Sequence, residues 1–171
     1  MFGRWLKGAA EARAPEGAEQ LRHVVARQLP EADAESVLVV TAIAGLLGTV
    51  AFADRDYSAA EEGRVRQELE RVHGMTRAGI DAICSVLRSH IVEVSTVQAP
   101  RYSRILVELA DRELRVEVLE VMVELAAADG EISVQEVNLL RQITTALGLS
   151  QADYNAAQDK HRDRLTVLRK P

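Results

Sequence analysis

The sequence predicts an all-α protein. No alternation of apolar and polar residues runs long enough for a strand, while apolar residues recur at helical spacing along most of the chain. A pattern of helix, acidic turn, helix, glycine turn and helix occurs twice, and a repeat of that size decides the architecture. Apolar residues make up 47% and aromatics only 4%, so the core must be built mainly of Ala, Leu, Val and Ile, a composition suited to close-packed helices. The expectation is a bundle of about seven helices whose halves are related by an approximate two-fold.

The N-terminal stretch Met1–Ala14 puts Phe2, Trp5 and Leu6 on one helical face, flanked by Arg4 and Lys7. It reads as a short helix that docks on the protein's own body or on a second copy of the chain, or as a contact with a membrane surface. No apolar core or small-residue cleavage site follows, so it is not a secretory signal. Ala14-Pro15-Glu16-Gly17 breaks the chain. Glu19–Leu29 is the next expected helix, with Leu21, Val24, Val25 and Leu29 on one side and Pro30 as its stop. Residues 1–30 thus form amphipathic and linker helices, 31–161 the main helical domain, and 162–171 a basic tail.

Val37–Ala53 carries no charge over 17 residues, the lower edge of the roughly 17–25 needed to cross a bilayer. It includes Thr41, Gly45 and Gly48 and ends directly in Asp54-Arg55-Asp56, so a buried central helix is the better reading. Ala44 and Gly48, four apart, would let another helix come close. Ser58–Val72 is a charged helix with Val65, Leu69 and Val72 inward. Thr76 caps the next, in which Ile80, Ile83, Cys84, Leu87 and Ile91 keep a helical period to about Val92. Val94–Ala99, followed by Pro100, reads as a connection, and a short helix runs from Pro100 to Leu109. Glu113–Ala128 is a second central helix, with Leu114, Val118, Val121, Met122 and Leu125 inward; its stripe Glu113, Glu117, Glu120, Glu124 reads as a solvated face. Ser133–Leu147 is amphipathic through Val137, Leu140, Ile143 and Leu147. Ser150 with Asp153 opens the last helix, stapled by Leu149 and Tyr154 and expected to fray beyond Arg164.

The two acidic turns are the candidate sites. In LAAADGEISVQE (125–136), Gly130 stops a helix and Ser133 with Glu136 forms a capping box, with Ile132 and Val137 as a staple. VAFADRDYSAAE (50–61) repeats the device with Ser58 and Glu61, and Asp54 and Asp56 stand where the later turn has Asp129 and Glu131. Carboxylates at a helix C-terminus oppose the macrodipole, which a turn alone does not explain. Oxygen-only ligands suit a hard cation such as calcium or magnesium, yet neither turn is an EF-hand, because Asp129 and Glu136 are seven residues apart and that loop needs eleven. A full site would need both turns together, or Glu61 or Glu136 as an added ligand. Asp and Gly are also ordinary turn residues, so a purely structural role stands beside the ionic one.

Charge and composition narrow the rest. The net charge is −5, but residues 1–30 and 160–171 are basic and the body between them strongly acidic. Such a body argues against a nucleic-acid surface and suits a cation or a basic protein partner. Cys84 is alone, so no internal disulfide forms and a reducing, cytoplasmic setting is expected; its neighbours offer nothing to activate a thiolate. There is no phosphate-cradling glycine loop, no His/Cys ligand cluster and no nucleophile elbow, and His23, His73, His90 and His161 are scattered. No enzyme is expected and no catalytic residue is named.

ADGEIS with Glu136, repeated as ADRDYS with Glu61, the long apolar helix before each turn, and Tyr102-Ser103-Arg104-Ile105-Leu106 leading into the second copy together resemble the TerB family, associated with tellurite resistance, over about Val37–His161. The first turn departs from the family in having Arg55 where glycine is usual, and its guanidinium is expected to neutralise the neighbouring carboxylates. The resemblance implies metal chelation through Asp54, Asp56, Asp129 and Glu131, with Glu61 and Glu136 as weaker ligands, and a non-enzymatic role in a metal or oxyanion stress-response assembly with protein partners. The alternative expectation is a protein-interaction scaffold without metal, peripheral at the inner face of the membrane through Phe2, Trp5 and Leu6.

Overall fold

The computed structural model describes residues 16–129 and 132–168, the side chains of 129 and 163–168 excepted. Phe2, Trp5 and Leu6, together with Gly130 and Glu131, lie outside the described residues. Within them the chain is all-α, without strands. The helices are α1 (Glu16–Gln28), α2 (Ala34–Ala51), α3 (Ala59–Leu69), α4 (Arg77–Glu93), α5 (Ala99–Leu109), α6 (Arg112–Ala126), α7 (Val134–Ala146) and α8 (Gln151–Leu168). A π-helical segment, Val94–Gln98, runs α4 directly into α5, so the described residues form seven helical rods.

The uncharged α2 is the axis. It starts three residues before Val37 because Asp33 caps it, accepting from the Ser36 N–H at 2.7 Å. By length and composition it could cross a membrane, but 61% of it is buried inside the protein, against helices on several sides. Its two buried hydroxyls are satisfied within the helix: Thr41 donates to the Val37 carbonyl at 2.6 Å and Thr49 to that of Gly45 at 2.7 Å. Gly45 and Gly48 set how closely the neighbours come. The Tyr102 ring of α5 lies against Gly45, where an added Cβ would run into Cε2 and Cδ2, and Leu87 and Ile91 of α4 close over Gly48.

The connection expected at 94–99 is helical, and Pro100 accounts for its shape. In an unbroken α-helix its ring would strike the Thr96 carbonyl, and it has no N–H to donate. One wider turn makes room. The hydroxyls of Ser95 and Thr96 both donate back to the Val92 carbonyl, at 3.2 and 2.5 Å. α1 packs on α4 in the opposite direction, with Gly17 against His90 and Glu93 at one end and Gly79 against Gln28 at the other.

The inward residues expected for α3 and α4 are buried at Val65, Leu69, Ile80, Ile83, Cys84, Leu87 and Ile91, but α3 ends at Leu69, three residues short of the expected Val72, which is only half-buried in the turn beyond it. On α6 the buried face is broader than the sequence suggests. Leu119 and Val123 are fully buried, while Leu114 and Val121 are only partly so. α8 runs beside α6 in the same direction, tied by Arg112–Asp153 at 2.6 Å and Lys160–Glu120 at 2.7 Å. It opens on the expected Ser150–Asp153 cap and continues to Leu168, past the expected fraying point.

Three residues take left-handed backbone angles among those described. Gly148 (φ 68°) ends α7 in the usual way and Gly74 (φ 86°) lies in the turn between α3 and α4; the third is Arg55 (φ 65°), in the first acidic turn.

Two outcomes follow from these contacts. Gly45→Ala should lower unfolding free energy by about 1–3 kcal/mol in urea melts, because the new methyl must displace the Tyr102 ring; an unchanged midpoint would show that the ring does not rest there. Arg55→Gly should raise stability by roughly 0.5–1 kcal/mol, the left-handed strain relieved (~1–2) less the backbone entropy glycine loses on folding. Arg55→Val should be less stable than either, and the opposite order would exclude a left-handed turn.

Candidate functional site at the acidic turns

The first turn is built by α2 running out of partners. Phe52 N–H still reaches the Gly48 carbonyl at 3.0 Å, and the Arg55 N–H closes onto Phe52 at 2.8 Å. Asp54 then turns its Oδ1 onto the Asp56 N–H at 3.0 Å, an aspartate turn that holds both carboxylates at the surface. Ser58 caps α3. Its N–H donates to Glu61 Oε2 at 2.8 Å, and the Glu61 N–H donates to Ser58 Oγ at 3.2 Å.

Arg55 does not do what its position suggests. Among the described residues it pairs with neither aspartate, and it lines a cavity of about 180 Å³ with Phe52, Ser95, Thr96 and Leu139. The turn therefore keeps its two negative charges, and Glu61 registers them. Partial burial, and then the charges of Asp54 and Asp56, hold its carboxyl above the ordinary value of 4.5, against the lowering effect of its bonds to Ser58.

Tyr57, which the motif gives no reason to single out, anchors the turn. Its ring packs on the core, and its buried hydroxyl has no hydrogen-bond partner. Burial, followed by the nearby Cys84 and Glu62, pushes its ionisation up. Beneath it Glu62 is buried in a fork with Arg88, at 3.1 and 2.5 Å, and also meets Arg66, which pairs with Asp81. Burial pushes the Cys84 thiol up to about 11, so it packs as a neutral side chain, as its sequence context suggests.

At the second turn α6 tightens into a 3₁₀ segment, Ala127–Asp129, and Ile132 packs where Tyr57 does in the first. Its capping box matches the other closely. Ser133 N–H donates to Glu136 Oε2 at 2.7 Å, and Glu136 N–H to Ser133 Oγ at 3.2 Å. The Asp129 carboxylate and Glu131 lie outside the described residues.

The donors suit a hard cation in kind but not in number. Among the described residues no three His, Cys, Asp or Glu side chains converge as a metal-holding group. Asp54, Glu61 and Glu136 each spend an oxygen on the backbone, and Glu136 is not gathered with the carboxylates of the first turn. A cation at the first turn would meet a partial shell from Asp54 and Asp56, with water in the remaining positions.

Comparison with known proteins gives a family. The model described as tellurite resistance protein TerB matches residues 40–159. No match was found among curated proteins or solved structures. The matched stretch runs from within α2 to within α8 and contains both acidic turns and both capping boxes; the chain belongs to the TerB family.

Proposed function

We propose that this TerB-family chain is a non-enzymatic module of the tellurite and metal stress response. It takes up a divalent cation of the calcium or magnesium type at its acidic turns and offers the half-coordinated ion to a protein partner. The observation that carries this reading is the unpaired charge of the first turn: two exposed aspartates beside Glu61, with no ion pair to Arg55 among the described residues. Magnesium in particular is held by one or two carboxylates with several waters retained, and an open shell of that kind leaves positions for a partner's oxygens.

A second reading keeps the turns as structure and the protein as a scaffold without metal. It is favoured by the backbone bonds that already occupy Asp54, Glu61 and Glu136.

Melting curves separate the two. Calcium or magnesium should stabilise the protein by ~2.7 kcal/mol at a hundredfold excess over the dissociation constant. Asp54→Asn keeps the turn, since asparagine accepts the same bond, and should lose most of that response; Asp129→Asn reports on the second turn in the same way. Identical curves with metal and with chelator would leave the scaffold reading standing.

Glu61→Gln gives an independent check, because glutamine preserves the capping box without the charge. The raised pKa means that the folded state binds the Glu61 proton more tightly than the unfolded chain, so stability should fall as pH rises through and above 4.5. The variant should flatten that slope, and metal should reduce it in the parent protein. A slope unchanged by Glu61→Gln would show that the cluster does not strain this carboxylate.

A further inference from the structure

The cavity of about 180 Å³ beside the first acidic turn lies between Phe52 and Ala53 at the end of α2, Ser95 and Thr96 of the π segment, and Leu139 of α7. The hydroxyl hydrogens of its lining are already spent. Thr49 donates to the Gly45 carbonyl at 2.7 Å, and Ser95 and Thr96 donate to that of Val92 at 3.2 and 2.5 Å. Among the described residues Arg55 is the one charged member of the lining, and it stands between Asp54 and Asp56, so the rim is net negative. An anion or a sugar is poorly served there, whereas an apolar side chain flanked by cations is well served. Val92, whose carbonyl takes two of those hydroxyls, is itself 61% exposed, so apolar surface continues beyond the cavity.

One stretch of this chain has the matching composition. Phe2, Trp5 and Leu6 fall on one helical face, with Arg4 and Lys7 beside them. Its point of attachment is close by. α1 begins at Glu16, and the Gly17 N–H donates to Glu93 Oε2 at 3.1 Å, just before Ser95 and Thr96 on the same helical run. Passing round that rod takes about 10–12 Å. The residues from Leu6 to Glu16 span up to about 33–36 Å when extended. The segment therefore reaches the cavity with chain to spare.

We infer that residues 1–14 dock on their own chain, with Trp5 seated in this cavity, Phe2 and Leu6 on the apolar surface around it, and Arg4 and Lys7 facing Asp54 and Asp56. At roughly 10–15 Å³ of such volume per water, the cavity holds about a dozen waters, which one indole ring displaces. Attachment through a short tether keeps the segment at an effective concentration of about millimolar, so a weak contact is enough to hold it in place. The contact requires no metal. The segment precedes residues 40–159 matched by the family, so the docked arm is an addition to the family's helices.

Trp5 is the only tryptophan, so its fluorescence reports the contact directly. In the full chain, with chelator present to exclude any part played by a cation, the emission should be blue-shifted and acrylamide quenching several-fold weaker than in the urea-unfolded chain. Both properties should be independent of protein concentration. Thr96→Arg, at an exposed position, should give the emission of a solvent-exposed indole with circular dichroism unchanged. Arg4→Glu with Lys7→Glu, which leaves every described residue intact, should do the same, and adding Asp54→Lys with Asp56→Lys should restore the blue shift. Glu117→Lys, on the α6 stripe, should change nothing. Solvent-exposed emission in the parent chain, a blue shift that needs anionic vesicles, or one lost on dilution together with a dimer would overturn the assignment in favour of no contact, a membrane surface or a second copy. A blue shift that survives both Thr96→Arg and the charge reversals would place Trp5 elsewhere and overturn it as well.

Discussion

The close approach of other helices to α2 is the constraint on which the rest of the structure depends. A helix without charge must be covered on most sides, and in a chain with few aromatics the cover must come from helices packed tightly enough to exclude water. Gly45 and Gly48 make that possible by removing side chains where Tyr102, Leu87 and Ile91 need the space. The Tyr102 ring against the backbone of Gly45 fixes α5, the π segment fixes α5 to α4, and α4 in turn carries α1. The positions of both candidate sites are consequences of this arrangement. The first acidic turn is where α2 leaves the core, and the apolar cavity lies beside it, where the end of α2 leaves a gap against the π segment and α7.

Electrostatics follows from the same geometry. An acidic body keeps its charge at helix ends and on the α6 stripe, where Glu120 meets Lys160 and Arg112 holds Asp153. Those pairs are exposed and contribute little to stability, but they fix α8 alongside α6 in a definite register. The Glu62–Arg88–Arg66 group is different, because Glu62 is buried and its charge must be matched where it stands. Its charges lie near enough to Tyr57 to act on the phenol, so the first turn has an ionic group close to its anchor. The second turn rests on Ile132 and aliphatic neighbours.

Much of the fold was legible because it rests on local chemistry. Capping boxes at Ser58 and Ser133, the stop at Gly148 and the buried period of Ile80, Ile83, Leu87 and Ile91 are written within a few residues of each other. What was not legible depends on contacts distant in sequence. Leu119 and Val123 are buried because α6 has neighbours on more than one side, which periodicity on a single face cannot show. The helical nature of Val94–Gln98 was hidden by its β-branched residues and by Pro100, whose effect depends on whether one turn can widen. At the first turn the residue types pointed to a cation, and Arg55 to its neutralisation. That pairing is missing at a residue with a left-handed backbone, beside a cavity it lines with residues some 40 and 84 positions further on. The cavity itself carried no signal at all, since a gap between helices is a property of packing.

The π segment also acts as an angular coupling. Each residue of an α-helix advances the chain by about 100°, so one additional residue in a turn rotates everything beyond it relative to everything before. The face that α5 turns toward α2 depends on that rotation, and the Tyr102 ring meets Gly45 on the far side of it. Helices α4 and α5 are therefore keyed to one another in phase, as a shaft is keyed to a wheel. A change that unwound the wide turn would move the tyrosine off the central helix and change the lining of the cavity in a single motion, coupling a local adjustment of five residues to the shape of a site built from three helices.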